Sequence, residues 1–468
     1  MANPFQDIEG GDEGQVARFE EMLKKQTTVF FDLDVYENII IHYIDKNELS
    51  KALKACELAG ETYPYSAVPI FLRAQVLAQS GSYKEAFRYV EKAETMQPND
   101  AETLVLKANI YAALGKHKKA IECVEKVLIW GVEGETIHLF IAKNYLKIND
   151  YDKAYAHYTK AIALNLENDL VFDEFLDFVE ITGFHKQAIT FIEQQIDDSP
   201  YSPKSWFRLG VVCNTKGDYT GALHALDYAT LIKEDYADAW AEMACVYMNQ
   251  KKYAQARQTF EKVLTLEKPS AEIYCHLAAS MEKLKDYENA IKNYRKAIEL
   301  SESSHEAWYG TGVCLMLQGN HYQAIHYLKR AIKYRKNEGD YWFVLAECEF
   351  QVGNIVSCLE AYKEASFYSP LNPKIWLNWS WVFYEQGNTD EATELIMNAI
   401  DELPENAEIL YRLSAYLISA GKYKQAFKYL ETALILDFDK HTVLFDFFES
   451  NETKKALYKI INQFRERN

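Results

Sequence analysis

The sequence is short of basic residues, of proline and of long apolar runs. Its 51 Lys and Arg face 69 Asp and Glu, a formal net charge of −18. Phosphate recognition depends on clustered bases, so nucleic acid is not an expected partner. An anionic membrane surface is set aside on the same ground. No stretch approaches the roughly 18 apolar residues of a membrane-spanning helix. The N-terminus, MANPFQDIEGGDEG, is acidic and has no apolar run, so it does not read as a signal peptide. The eight cysteines are widely spaced and form no CxxC pair, which excludes a zinc ribbon or a redox motif of that kind. Free thiols suit a reducing compartment, and the expectation is a cytoplasmic protein.

Catalytic and cofactor signatures are also missing. The eleven histidines are scattered, and His321 and His326 stand five apart, not at the i, i+4 spacing of a helical metal site. Gly115-Lys116 is a fragment of a phosphate loop and no more. No convergent acid, base or nucleophile stands out, so neither an enzyme nor a cofactor is expected.

Proline is scarce, but its placement is regular. Pro64, Pro98, Pro200, Pro370 and Pro404 are separated by 34, 102, 170 and 34 residues, all multiples of 34. A fixed period of this size means one supersecondary unit copied in tandem. A 34-residue frame from Leu33 to Lys440 holds twelve copies with no insertion or deletion. Position 20 is alanine in eleven copies, from Ala52 to Ala426, and Cys358 in the other. Position 8 is Gly, Ala or Ser in ten, and position 4 is often large, as in Trp206, Trp240, Trp308, Trp342 and Trp376.

Positions 4, 7, 8 and 11 share one face of a first helix. Positions 20, 24 and 27 share one face of a second. Small residues at 8 and 20 let the two backbones approach, and the ring at 4 fills the space beside them. Position 15 is Gly in eight copies and Asn in two, residues that accept the left-handed conformation ending a helix. Proline at position 32 stops the second helix.

These residues resemble the tetratricopeptide repeat family, over about nine-tenths of the chain. Repeat six, with Trp206, Leu209, Gly210, Gly217, Asp218, Tyr219 and Ala222, and repeat eleven, with Trp376, Ser380, Gly387, Ala392, Ala399 and Pro404, are close to the family pattern. The resemblance implies an all-α, right-handed superhelical solenoid of about twelve helix-turn-helix repeats with terminal capping helices. Its concave groove would take a protein or peptide partner. Residues 1–32 read as an acidic extension with a capping helix over Gln15–Lys25, preceded by about a dozen mobile residues. Residues 33–440 are the tandem repeats. In residues 441–468, His441–Phe448 starts like a thirteenth first helix, and Glu452–Asn468 reads as a capping helix.

The resemblance places frame positions 2, 5, 6, 9, 12 and 13 in the groove. Repeat five then offers an acidic face, Asp173, Glu174, Asp177 and Glu180, with Lys204 and Arg208 following in repeat six. Repeats nine to twelve offer Tyr309, Met316, Phe343, Phe350, Trp381, Tyr384 and Tyr411, with Glu347, Asn378 and Arg412 among them. Exposed groove aromatics are typical anchors, and mutual burial is the alternative. The residues fit neither the family's chaperone-tail clamp nor its asparagine ladder. Cys245 and Cys275 also face the groove, with packing the expected role and reactivity the alternative. The expected function is a non-catalytic interaction scaffold. The alternatives are a self-assembling solenoid with a homotypic interface, and a groove closed by the chain's own N-terminal segment.

Overall fold

The computed structural model describes residues 12–25, 27, 29–448 and 451–467. Among these there are 26 α-helices, one 3-10 helix and no strand. The second helices of the repeats begin at Leu49, Tyr83, His117 and onward to Tyr423, each 34 residues after the last. First helices keep the same spacing from Ala101 to Ala407.

The local reasons are visible repeat by repeat. All twelve residues at position 15 have positive φ, the eight glycines, Asn47, Asn149 and two lysines, Lys251 and Lys285. Eleven of them end a first helix in the same turn, while Gly183 itself caps the helix of repeat five, its N–H bonded to the Val179 carbonyl at 2.8 Å. In repeat seven Lys252 N–H reaches back to the Tyr247 carbonyl at 2.8 Å, and Lys251 N–H to Met248 at 2.9 Å, which satisfies orphan carbonyls. Every second helix that precedes a position-32 proline stops two residues before it, at Thr62, Met96, Asp198, Tyr368 and Glu402. Short polar side chains cap first helices: Asp100 accepts from Thr103 N–H, Ser202 from Ser205 N–H and Asn406 from Ile409 N–H.

Packing follows the small residues. All twelve side chains at position 20 are fully buried. At Gly210 and Gly312 an added Cβ would stand 2.6 Å from Leu226 Cγ and 2.8 Å from Leu328 Cγ, so only glycine lets the two helices of these repeats come this close. The five position-4 tryptophans share a bond that periodicity does not show. Each indole N–H donates to the carbonyl six residues earlier, at 2.8–2.9 Å: Trp206 to Pro200, Trp240 to Glu234, Trp308 to Glu302, Trp342 to Lys336 and Trp376 to Pro370. The ring packs beside the small residues, and its nitrogen ties the turn between copies to the next helix.

The chain divides into two compact units, residues 1–194 and 195–468. In the first, the helix Asp12–Lys25 lays Val16, Phe19 and Met22 on the first repeat, and the Phe19 ring meets Phe31, Tyr36 and Tyr43. Residues 1–11, most of the stretch expected to be mobile, lie outside the described residues. In the second unit the chain after Leu436 departs from the frame. Phe438–Phe447 is a 3-10 helix, not a thirteenth α-helix. Asn451–Arg467 is α-helical, with Leu457 and Ile461 buried. Its polar side carries Lys454, Lys455 and Lys459, so an apolar face is covered and a solvated one is presented.

Candidate functional site

In the first unit, the helix Asp169–Thr182 turns Phe172, Phe175, Phe178 and Val179 inward. Asp173, Asp177 and Glu180 are exposed on its other side, and Glu174 is half-buried. Glu174 pairs with Lys143 of repeat four at 2.6 Å. Neutralisation of that carboxylate therefore comes from the preceding copy. Lys204 and Arg208 belong to the second unit. Lys204 is half-buried, but Arg208 is only 2 % exposed, so it is no free surface residue. Packing covers the Arg208 side chain, where the frame expects a groove-lining residue.

The second unit holds the aromatic run. Tyr309 stacks on Tyr341 of the next repeat, with centroids 4.4 Å apart, and burial raises its phenol pKa. Phe343 and Phe350 are half-buried. Between them on the helix Gly339–Gln351, Glu347 accepts a hydrogen bond from Asn378 Nδ2 at 2.8 Å. Burial raises the Glu347 carboxyl pKa, while the Asn378 bond and Lys374 act the other way. Tyr411 is not in the groove. It is 1 % exposed, and its hydroxyl donates to the Asp437 carbonyl at 2.8 Å, which anchors the last repeat to the segment that follows.

Trp381, Tyr384 and Arg412 are brought together, but around an occupant from the same chain. The Phe447 ring sits edge-on to Trp381, Tyr384 and Tyr416 at 5.6, 5.9 and 5.8 Å. The Arg412 guanidinium lies 4.6 Å from the Phe447 centroid, and its Nη1 donates to the Leu377 carbonyl at 3.1 Å. A cation over the ring on one side and aromatic faces on the others make a favourable cup. The occupant comes from the segment Phe438–Phe447, which follows the last repeat.

Two concave sites among the described residues are lined mainly by first-helix residues. One, of about 450 Å³, runs from repeat nine to repeat eleven and is lined by Met316, His321, Glu347, Phe350, Asn378 and Trp381. The other, of about 600 Å³, lies in the first three repeats. There Ile41, Phe71 and Val105 form an apolar floor beside Glu37, Asp45 and Glu102. Sequence reading passed over it, although Glu37, Ile41, Phe71 and Val105 occupy groove positions 5 and 9 of the frame.

Cys245 and Cys275 are packed, and burial raises both thiols, Cys245 to about 12. Neither is poised as a thiolate nucleophile. Among the described residues no group of three or more His, Cys, Asp or Glu could hold a metal ion, and no helix is long and apolar enough to cross a membrane.

The model for anaphase-promoting complex, cyclosome, subunit 3 matches residues 45–127 and 283–365. Tetratricopeptide repeat models match residues 215–275 and 383–441, and residues 136–168. Among solved structures, the APC/C hetero-tetramer Cut9-Hcn1 is similar at 12% identity, with 87% of this chain and 93% of that chain covered and a TM-score of 0.45. YrrB, described as a TPR protein with an unusual peptide-binding site, shares 20% identity, with coverage of 39% and 95% and a TM-score of 0.34. MamA shares 21% identity, with coverage of 36% and 97% and a TM-score of 0.33. Comparison with curated proteins finds no match. The in-register frame, the stacked helical hairpins and the repeat models agree: this chain belongs to the tetratricopeptide repeat family.

Proposed function

We propose that the chain is a non-catalytic interaction scaffold that holds an extended peptide or partner helix in the groove of repeats nine to eleven. The observation that carries this is the half-exposure of Phe350 and Trp381, which line a cavity of about 450 Å³, with Phe343 half-buried on the same helix as Phe350. Rings that serve packing elsewhere, such as Phe175, Phe178 and Phe260, are fully buried. Aromatic surface left partly wet in a concave site is a candidate anchor for a partner's side chains. The match of two stretches to a subunit of a multiprotein complex supports a partner that is itself a protein.

The test is capture of binding partners from a native extract by the full chain and by a Phe350→Ala, Trp381→Ala variant. Proteins retained by the wild type should be lost from the variant, while its circular dichroism stays unchanged. Equal retention would remove the groove from the function. Sedimentation at several concentrations separates this from homotypic assembly through the same rings.

A further inference from the structure

The cavity of repeats nine to eleven combines an apolar wall with an acidic floor. Phe350, Met316 and Trp381 supply the wall. Glu347 supplies the charge, and its hydrogen bond comes from a neutral amide, Asn378 Nδ2, at 2.8 Å. Among the described residues no Lys, Arg or His stands within ion-pair distance of Glu347. The base that acts on it is Lys374, an exposed residue at the start of the next repeat. One polar atom of the same lining is unpaired: His321 Nδ1 is buried and has no hydrogen-bond partner. Glu347 is therefore desolvated by its surroundings without the counter-charge that usually accompanies a carboxylate in such a place.

We propose that this cavity is a recognition pocket for a basic side chain, lysine or arginine, carried by a partner peptide. The ammonium or guanidinium pairs with Glu347 beside Asn378. The aliphatic stem lies along Phe350 and Met316, with the cationic end near the Trp381 ring. His321 Nδ1 accepts a hydrogen bond from an N–H of the ligand. Other occupants fit less well. An acidic side chain would meet Glu347 as a like charge. A purely apolar one would strip the remaining water from Glu347 and put no cation in its place. The inference rests on the groove reading above and adds the chemistry it selects.

The probe is a set of degenerate twelve-residue peptide libraries whose central residue is fixed as Lys, Arg, norleucine or Glu. Each is passed over immobilised full-length protein, wild type and Glu347→Gln, Glu347→Lys and Phe350→Ala variants. Glutamine keeps the acceptor for Asn378 and removes only the charge, so folding is preserved. On the wild type, the Lys and Arg libraries should be retained roughly ten- to hundredfold better than norleucine, the scale of a charged hydrogen bond. That preference should vanish in Glu347→Gln and turn toward the Glu library in Glu347→Lys. Equal retention of all four libraries on the wild type, lost in Phe350→Ala, would overturn the basic-residue pocket and leave the groove standing. Survival of the Lys and Arg preference in Glu347→Gln would also overturn it. Retention of no library by the wild type would overturn both readings.

Discussion

Lys251 and Lys285 have φ of 60° and 63° at the position where the other ten copies carry glycine or asparagine. The left-handed region brings a Cβ too close to the following carbonyl, at a cost of roughly 1–2 kcal/mol. Glycine escapes that contact but gives back part of the gain through its freer unfolded chain. Lys251→Gly and Lys285→Gly should therefore each stabilise the fold by about 0.5–1 kcal/mol, read as a higher urea midpoint at unchanged slope. A lower midpoint would show that the lysine side chains make compensating contacts. Gly310 runs the opposite way. A Cβ there would lie 2.2 Å from Tyr294 Cζ, and the Tyr294 hydroxyl is held on Glu282 at 3.1 Å. The ring cannot retreat without breaking that bond, so Gly310→Ala should destabilise by about 1–3 kcal/mol. An unchanged midpoint would mean that the ring has another place to go. The need for a left-handed turn at position 15 was legible in the sequence because the residue type repeats. The glycine at Gly310 was not, because the ring it accommodates comes from the preceding copy.

Helix pairs carry the pH response. In repeat four, His138 of the helix Glu135–Lys147 and His157 of the helix Tyr151–Leu164 meet Nδ1 to Nδ1 at 2.9 Å. Burial, then the neighbouring His138, pushes His157 down to about 4 from an ordinary 6.5. The unfolded chain therefore takes up a proton that the folded one refuses as pH falls through 6.5. This stability is complete above that value and is lost on the way down to pH 4. For a half-buried ring the loss between pH 7 and pH 5 is roughly 1–2 kcal/mol. His157→Gln should flatten that part of the pH profile of thermal unfolding, and an unchanged profile would assign the slope elsewhere. The segment Phe438–Phe447 acts on the other terminus. Replacing Phe447 with Ala should uncover Trp381 and shift tryptophan emission to the red, at a stability loss of about 1–2 kcal/mol for a half-buried ring. Unshifted emission would mean that Phe447 does not shield Trp381 from water. The helix over Gln15–Lys25 could be read from its apolar spacing alone. The return of Phe447 to repeats eleven and twelve could not, because the contact is non-local and the frame ends at Lys440.

At the scale of the whole chain, the 34-residue frame passes residue 194 without a gap, although the contacts separate there into two compact units. Periodicity records the chemistry that every copy repeats, so a boundary between copies leaves no trace in it. The tryptophans make the boundary testable. Seven of the eight lie after residue 195, and only Trp130 lies before it. Tryptophan fluorescence therefore reports almost entirely on the second unit, while circular dichroism at 222 nm reports on the helices of both. Solenoid stability is a sum of local terms, so the units need not unfold together. Phe178 is fully buried in the first unit, 5.1 Å from Tyr158 and 5.4 Å from Phe184. Phe178→Ala should cost that unit about 3–5 kcal/mol. The urea transition seen by circular dichroism should then split, with an early phase, while the fluorescence midpoint stays where it was. A fluorescence midpoint that moves with the early phase would show that the two units unfold as one cooperative body.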